Sequence, residues 1–438
     1  MRMEGKTMDV SKLNVKQTVF LSFGFLAASL AWALYNSMMP QILQPLTDSN
    51  TLTGVIMAGA YITGVVLEPT FGVISDKTHT RIGRRIPYIL AGIPICAVAF
   101  ALAPHMTTLG SLIAVLAVFC VVMAIWRTPT ISLMPDLTPG PLRSQANGIV
   151  NVMGGLGTLI AFVGGGLLVD LGGITLPFLV AAIIMLVCLA VIVWRVREPA
   201  HAYEPKVKEP RVKLQRGERG SLFAILTAIG FWFVGYGAVE AFFTLFATNT
   251  LEVSKGIASI MLGVYSIAFM IFAIPAGFIG AKFGRRKMIL IGLVGVTAMF
   301  VPMMLGAGKV LTIVLLFLGG TFWACVNINS LPMVVRMGTE KSSGTFTGYY
   351  YLFSCAGQII GLSTVGMLID LTARYGFLFI TAAEHYRSLF LFCCLAFAIA
   401  AVVLAFAHHG EDLTPQQAAA AEHTAQTDSI EPEKVEQP

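Results

Sequence analysis

Residues 66–85 read VLEPTFGVISDKTHTRIGRR, and the rest of the chain is best read outward from them. The stretch begins inside an apolar run that starts near Leu52. It carries a carboxylate, Glu68, within that run and closes on Asp76, Lys77, Arg81, Arg84 and Arg85. An apolar run ending in a basic turn is the pattern of a membrane span that meets its interface. The whole sequence repeats it. Of 438 residues, 56% are hydrophobic and 12% charged, where soluble domains carry about 25% charged residues. Twelve apolar blocks cover 17–42, 51–75, 86–103, 109–134, 145–169, 174–196, 221–248, 256–281, 287–307, 309–334, 344–369 and 386–407. Most match the roughly 20 residues that a helix needs to cross a bilayer, and all exceed the roughly ten-residue alternating segments of a barrel. Backbone groups in lipid must be paired within the segment. The expectation is therefore an all-α integral membrane protein with twelve transmembrane helices.

Basic residues orient it. Lys and Arg collect before the first block (Arg2, Lys6, Lys12, Lys16), after the second, at Arg143, between Arg195 and Arg219, around Lys282 to Lys287, at Arg336 and Lys341, and at Lys434. The alternate connections hold Lys255, Lys309, Arg374 and Arg387. The positive-inside rule then places both termini in the cytoplasm, and the net charge of +6 expresses topology rather than a nucleic-acid surface. The chain divides into a tail (1–16), a six-helix bundle (17–196), a basic linker (197–220) lying near anionic headgroups, a second six-helix bundle (221–408) and a polar tail (409–438) read as disordered. The first block is read as a retained span rather than a leader, and the chain as a bacterial inner-membrane protein. Seven cysteines fall within spans and form no C-x-x-C, so they read as small packing residues. No metal or cofactor is expected.

The two halves repeat each other. Gly83-Arg84-Arg85 returns as Gly284-Arg285-Arg286, after the second span of each half. Gly148, Gly157, Gly166 and Asp170 return at matching spacing as Gly348, Gly357, Gly366 and Asp370, along the fifth span of each half. Glycines nine apart stand about two and a half helical turns from one another, so they open different faces to close helix approach. Two parallel six-helix repeats resemble the major facilitator architecture, which implies a central cavity and alternating access. The loop resembles that superfamily's G-x-x-x-D…G-R-R motif at Gly72, Asp76, Gly83, Arg84 and Arg85. Asp136 and Arg143 resemble the matching loop between helices 4 and 5. This set reads as a gating latch, in which Asp76 meets a helix amino terminus of the other half and the arginines meet acids or headgroups. Ala281 stands where the second half would carry the acid, so the latch is asymmetric.

Finer motifs resemble the glycoside–pentoside–hexuronide:cation symporters and the sucrose-type proton symporters. They are the long loop D-K-T-H-T-R-I-G-R-R, the pair Glu68-Pro69 ahead of Gly72, and ISLMPDLTPGPLRSQANG. The departure is Arg127, where the cation symporters carry an aspartate that helps bind sodium and sugar. An arginine does not coordinate a cation, so an ion pair with Glu68 and coupling to protons rather than sodium are expected.

Glu68, Arg127 and Glu240 are ionisable residues inside spans, and such residues usually face a cavity or a partner. They are the proton-coupling candidates; a permanent structural pair is the plainer reading of the first two. Sugar recognition needs hydroxyl-matching groups beside an aromatic platform. Trp32, Tyr35 and Asn36 follow i, i+3, i+4 spacing on helix 1. Tyr236 precedes Glu240 by one turn on helix 7, Trp323 pairs with Asn327 on helix 10, and Asn151 and Gln358 add amides on helices 5 and 11. The resemblance puts helices 1, 7 and 10 on the cavity. Gly154-Gly155-Leu156-Gly157 follows no strand, and the sequence contains neither a phosphate-binding G-x-x-x-x-G-K-[ST] nor H-E-x-x-H. The reading is a proton-coupled sugar importer, not an enzyme, working as a monomer in the bilayer on a small-molecule substrate. An exporter of drugs or metabolites and a transport-deficient sugar sensor are its rivals.

Overall fold

The computed structural model describes residues 13–139, 142–198, 216–337 and 343–407. Residues 1–12 of the amino-terminal tail, most of the basic linker, Lys341 and the tail from His408 onward lie outside them. Twelve helices are long and apolar enough to span a membrane: α1 Val15–Thr47, α2 Asn50–Lys77, α3 Ile86–His105, α4 Leu109–Leu137, α5 Gln145–Gly172, α6 Thr175–Arg195, α7 Gly217–Asn249, α8 Lys255–Phe283, α9 Arg285–Met304, α10 Lys309–Val335, α11 Gly344–Tyr375 and α12 Ala382–Ala405. Among the described residues the only β pairing is one isolated bridge between Phe377 and Ile380.

The helices outrun their apolar blocks because capping, not hydropathy, ends them. Asn14 caps α1 by accepting from the Gln17 N–H, and Ser49 and Ser254 do the same for α2 and α8 through Leu52 and Ile257. The α1–α2 connection is therefore only Asp48 and Ser49. Asp48 takes a left-handed φ of 49° to make the reversal. In α5 the α-helical turns are interrupted by a π-helical turn, Ile160–Gly164.

Helices α1–α6 pack into one bundle and α7–α12 into the other, and the bundles meet along α2–α11, α5–α8 and α1–α7. The most buried spans are α1 and α7, at 67% and 61%, against 33–50% for the others. Those two helices form the axis, and the outer faces of the rest are apolar and exposed, as lipid contact requires.

The glycine repeat shows how the halves are built. A step of nine residues turns an α-helix by about half a turn beyond two full ones. Gly157 and Gly357 accordingly face their own bundles, against the backbone of Leu26 on α1 and of Gly230 on α7. Gly166 and Gly366 face the opposite bundle, against the backbone of Gly256 on α8 and of Asn50 on α2. Gly148 and Gly348 face open space. Gly357→Leu is therefore expected to cost at least about 3 kcal/mol, because its Cβ lands on main chain that cannot rotate away. Gly348→Leu should be neutral. Thermal melts of the two variants in detergent check this pair, and equal melts would contradict it.

Candidate functional site

The loop that opened the sequence folds into a compact charge cluster. Arg85 is fully buried. Its guanidinium donates to Asp136 at 2.9 Å, to Asp76, to Ser75 Oγ and to the Gly72 carbonyl at 3.4 Å. Arg84 reaches the other Asp136 oxygen at 2.6 Å. Gly83 holds φ at 110°, which lets the chain turn into α3. Glu198, at the end of the first bundle, accepts from the Arg85 and Ile86 N–H groups at 2.8 and 3.1 Å and so caps α3. Arg143 donates to the Thr138 and Pro135 carbonyls at the end of α4.

The second half repeats the turn, with Ala281 where the first half carries Asp76. Gly284 has φ 103°, and Arg286 donates to the Leu404 carbonyl at 3.3 Å and to that of Ala405, where α12 ends. Arg285 opens α9 beside it. Asp76 binds Arg85 within its own half. Asp170 and Asp370, at the other end of the molecule, seat their carboxylates on helix amino termini of the opposite half.

Midway along the bundles, Arg127 on α4 donates to Glu68 on α2 at 2.5 Å, and both side chains are about one-third exposed, at 35% and 31%. The guanidinium also lies 5.9 Å from the Trp32 ring on α1. From the other bundle, Tyr351 and Cys355 on α11 come close enough to feel both charges. The pair therefore stands at the boundary between the halves rather than inside one of them.

Two aromatic clusters flank it. In the first half Trp32 stacks on Tyr35 with centroids 5.8 Å apart and meets Tyr61 edge-on at 5.2 Å. In the second half Tyr236 and Trp323 stack at 4.5 Å with nearly parallel planes, and Phe233 meets both edge-on. Asn36 joins the clusters: it donates to the Tyr61 hydroxyl at 3.1 Å and lies against Glu240 of α7. Tyr236 and Tyr265 stand near the same carboxylate. A carboxylate, an amide and phenolic hydroxyls among ring faces are the groups that bind a polyhydroxylated or an aromatic–cationic solute.

The other candidates fall differently. Tyr35 is 1% exposed, stacks on Phe119 of α4 at 5.6 Å and braces Trp32 from within the bundle. Gln358 packs over Gly237, beside Tyr236. Asn327 is half-buried, one turn below Trp323, and Asn151 is exposed on α5. Sequence reasoning missed Tyr61, Tyr351 and Cys355, because nothing local distinguishes a cavity tyrosine from an interfacial one. It also missed Gln41, which is 4% exposed. Among the described residues no cluster of metal-ligating side chains occurs.

The sequence profile described as Major Facilitator Superfamily matches residues 21–254 and 228–432. The chain belongs to that superfamily. Its members' fold is found in solved structures too: a bacterial homologue of the human lysosomal transporter Spinster superposes with a TM-score of 0.74 at 14% identity, covering 90% of this chain and 96% of that one. Multidrug resistance protein 2 of Bacillus subtilis (strain 168) is 24% identical over 84% of this chain and 92% of its own. Sucrose transport protein SUC3 of Arabidopsis thaliana is 25% identical over 156 residues, which is 31% of this chain and 26% of that protein. This major facilitator chain is a multi-pass membrane transporter and not an enzyme.

Proposed function

We propose that the chain is a proton-coupled sugar symporter of the bacterial inner membrane, with both termini cytoplasmic, working by alternating access on a glycoside or disaccharide. The observation that carries this reading is the half-buried Glu68–Arg127 pair, placed where residues of both bundles meet. Arg127 pairs with Glu68 until substrate or a change of conformation breaks the pair, and the freed Glu68 is the group that carries the proton. The stacked Tyr236–Trp323 surface offers a sugar ring its apolar face, while Glu240 and Asn36 offer partners for hydroxyls. The partial likeness to a sucrose transport protein supports the same reading. Arg127 in place of an acid favours protons over sodium.

One observation favours a second reading. Glu240 lies near Asn36 and the tyrosines Tyr236 and Tyr265, and among the described residues no cation pairs with it, a setting suited to a lipophilic cation. A relative that matches along 92% of its own length is a multidrug resistance protein. Uptake of labelled glycosides and disaccharides into proteoliposomes, under a proton gradient, a sodium gradient or neither, separates the cases. Accumulation under the proton gradient alone is the expected result. Accumulation under sodium alone overturns the role given to Glu68 and Arg127. Absent sugar flux, with proton-driven extrusion of a lipophilic cation, selects the exporter.

A further inference from the structure

The end of the molecule away from the chain termini is stitched across the two halves. The Asp370 carboxylate at the end of α11 accepts from Ser49 Oγ at 2.8 Å, the Asn50 N–H at 3.0 Å, Asn50 Nδ2 at 2.9 Å, the Thr51 N–H at 2.8 Å and Thr51 Oγ1 at 2.7 Å. All five donors belong to the first turn of α2, where the helix dipole also favours a negative charge. Tyr386 of α12 donates to Asn50 Oδ1 at 3.1 Å and fixes which way that amide points. Ser49 is at once the cap of α2 and a donor to Asp370.

The repeat mate makes the same contact more loosely. Asp170 at the end of α5 is exposed and accepts from Ser254 Oγ at 3.0 Å and the Gly256 N–H at 3.3 Å at the start of α8. Ser254 caps α8 as Ser49 caps α2. Below both, Thr244 of α7 donates to the Ser37 carbonyl of α1 at 2.7 Å. One turn further along α1, Gln41 is buried with neither amide atom hydrogen-bonded to protein. An unsatisfied buried amide favours opening to water, so closure of this end needs a contact strong enough to oppose it.

We propose that Asp370 on the start of α2 is the lock that holds the far end of the carrier closed, and that Asp170 on α8 is a weaker second catch. The proposal rests on the alternating-access reading, but not on the identity of the substrate or ion. The five groups facing Asp370 are all donors. An amide there would turn one of its own N–H pairs toward them, so Asp370→Asn replaces attraction by repulsion at nearly constant volume. Asp170→Asn loses two longer bonds at an exposed site.

The test is the separation of nitroxide labels at Thr107 and Val310, exposed positions at the far end of the two bundles, in full-length protein whose native cysteines have been replaced. Without any ligand, Asp370→Asn is expected to raise the ratio of far-end-open to closed molecules at least about tenfold, and Asp170→Asn about threefold or less. Ser49→Ala with Thr51→Val, which removes two donors and leaves the carboxylate, should fall between them. Should Asp370→Asn protein fold poorly, that double variant carries the comparison alone. A distance distribution unchanged by Asp370→Asn or by the double variant, or an Asp170→Asn shift as large as that of Asp370→Asn, overturns the proposal. Either result leaves the flux experiment above untouched.

Discussion

Carriers with Glu68→Gln exchange labelled substrate for unlabelled substrate but no longer accumulate it. Glutamine keeps the shape of a protonated glutamate and still accepts from Arg127, so a loaded carrier can reorient. It cannot release a proton on one side and take one up on the other, and exchange does not need that step. A pH difference of one unit can drive about tenfold accumulation for one proton coupled, and that factor is expected to fall to one. Arg127→Gln should lose both activities, because Glu68 then has no partner to leave and rejoin as the carrier reorients. Neither change should cost much stability. With both side chains about one-third exposed, the pair is partly screened and contributes on the order of 1 kcal/mol. Counterflow and gradient-driven uptake, measured on the same proteoliposomes beside a thermal melt, check all three statements. Accumulation by Glu68→Gln at the level of the unaltered protein would remove Glu68 from the coupling step.

Much of this arrangement can be seen in the sequence, and its gaps have physical causes. The twelve spans follow from hydropathy. Their ends do not, because Ser49 and Ser254 cap helices that run past the apolar blocks. Glu68, Arg127 and Glu240 stand out because a charge in an apolar run must have a reason to be there. That Tyr35 braces a ring while Trp32 borders the boundary could not be read from their i, i+3 spacing. Spacing places residues on one face of α1, but α1 is buried on nearly all faces, and only packing distinguishes Phe119 from a cavity. Asp170 and Asp370 were visible as a repeat, yet their meaning lay in Ser254 and Ser49, residues that look locally like ordinary helix caps. The contacts join positions some 320 residues apart in the chain for Asp370, and no local pattern carries that information. Ala281 did announce the asymmetry of the two arginine turns, since the acid missing there leaves Arg286 to helix-end carbonyls.

That asymmetry sets the second large effect. Arg85→Ala is expected to destabilise the protein by about 3–5 kcal/mol, the range for removing one partner of a buried ionic group. The cost comes from what stays behind. Asp76 and Asp136 lose their shared fork, and Ser75 and the Gly72 carbonyl lose a donor in a site where Arg85 had no exposure to water. Arg85→Lys should recover only part of this, because an ammonium cannot reach two carboxylates in the fixed planar geometry of a guanidinium. Arg84→Ala removes one contact to Asp136 from a side chain with some access to solvent, and should cost less. Arg286→Ala should cost about 1 kcal/mol, since its partners are carbonyls at a helix end that water can also satisfy. Thermal melts in one detergent give the order Arg85→Ala, Arg85→Lys, then Arg84→Ala and Arg286→Ala as the least harmful. If Arg286→Ala proved as damaging as Arg85→Ala, the two turns would be equivalent supports. The carboxylates that distinguish the first half would then have to act in the movement of the carrier rather than in its stability.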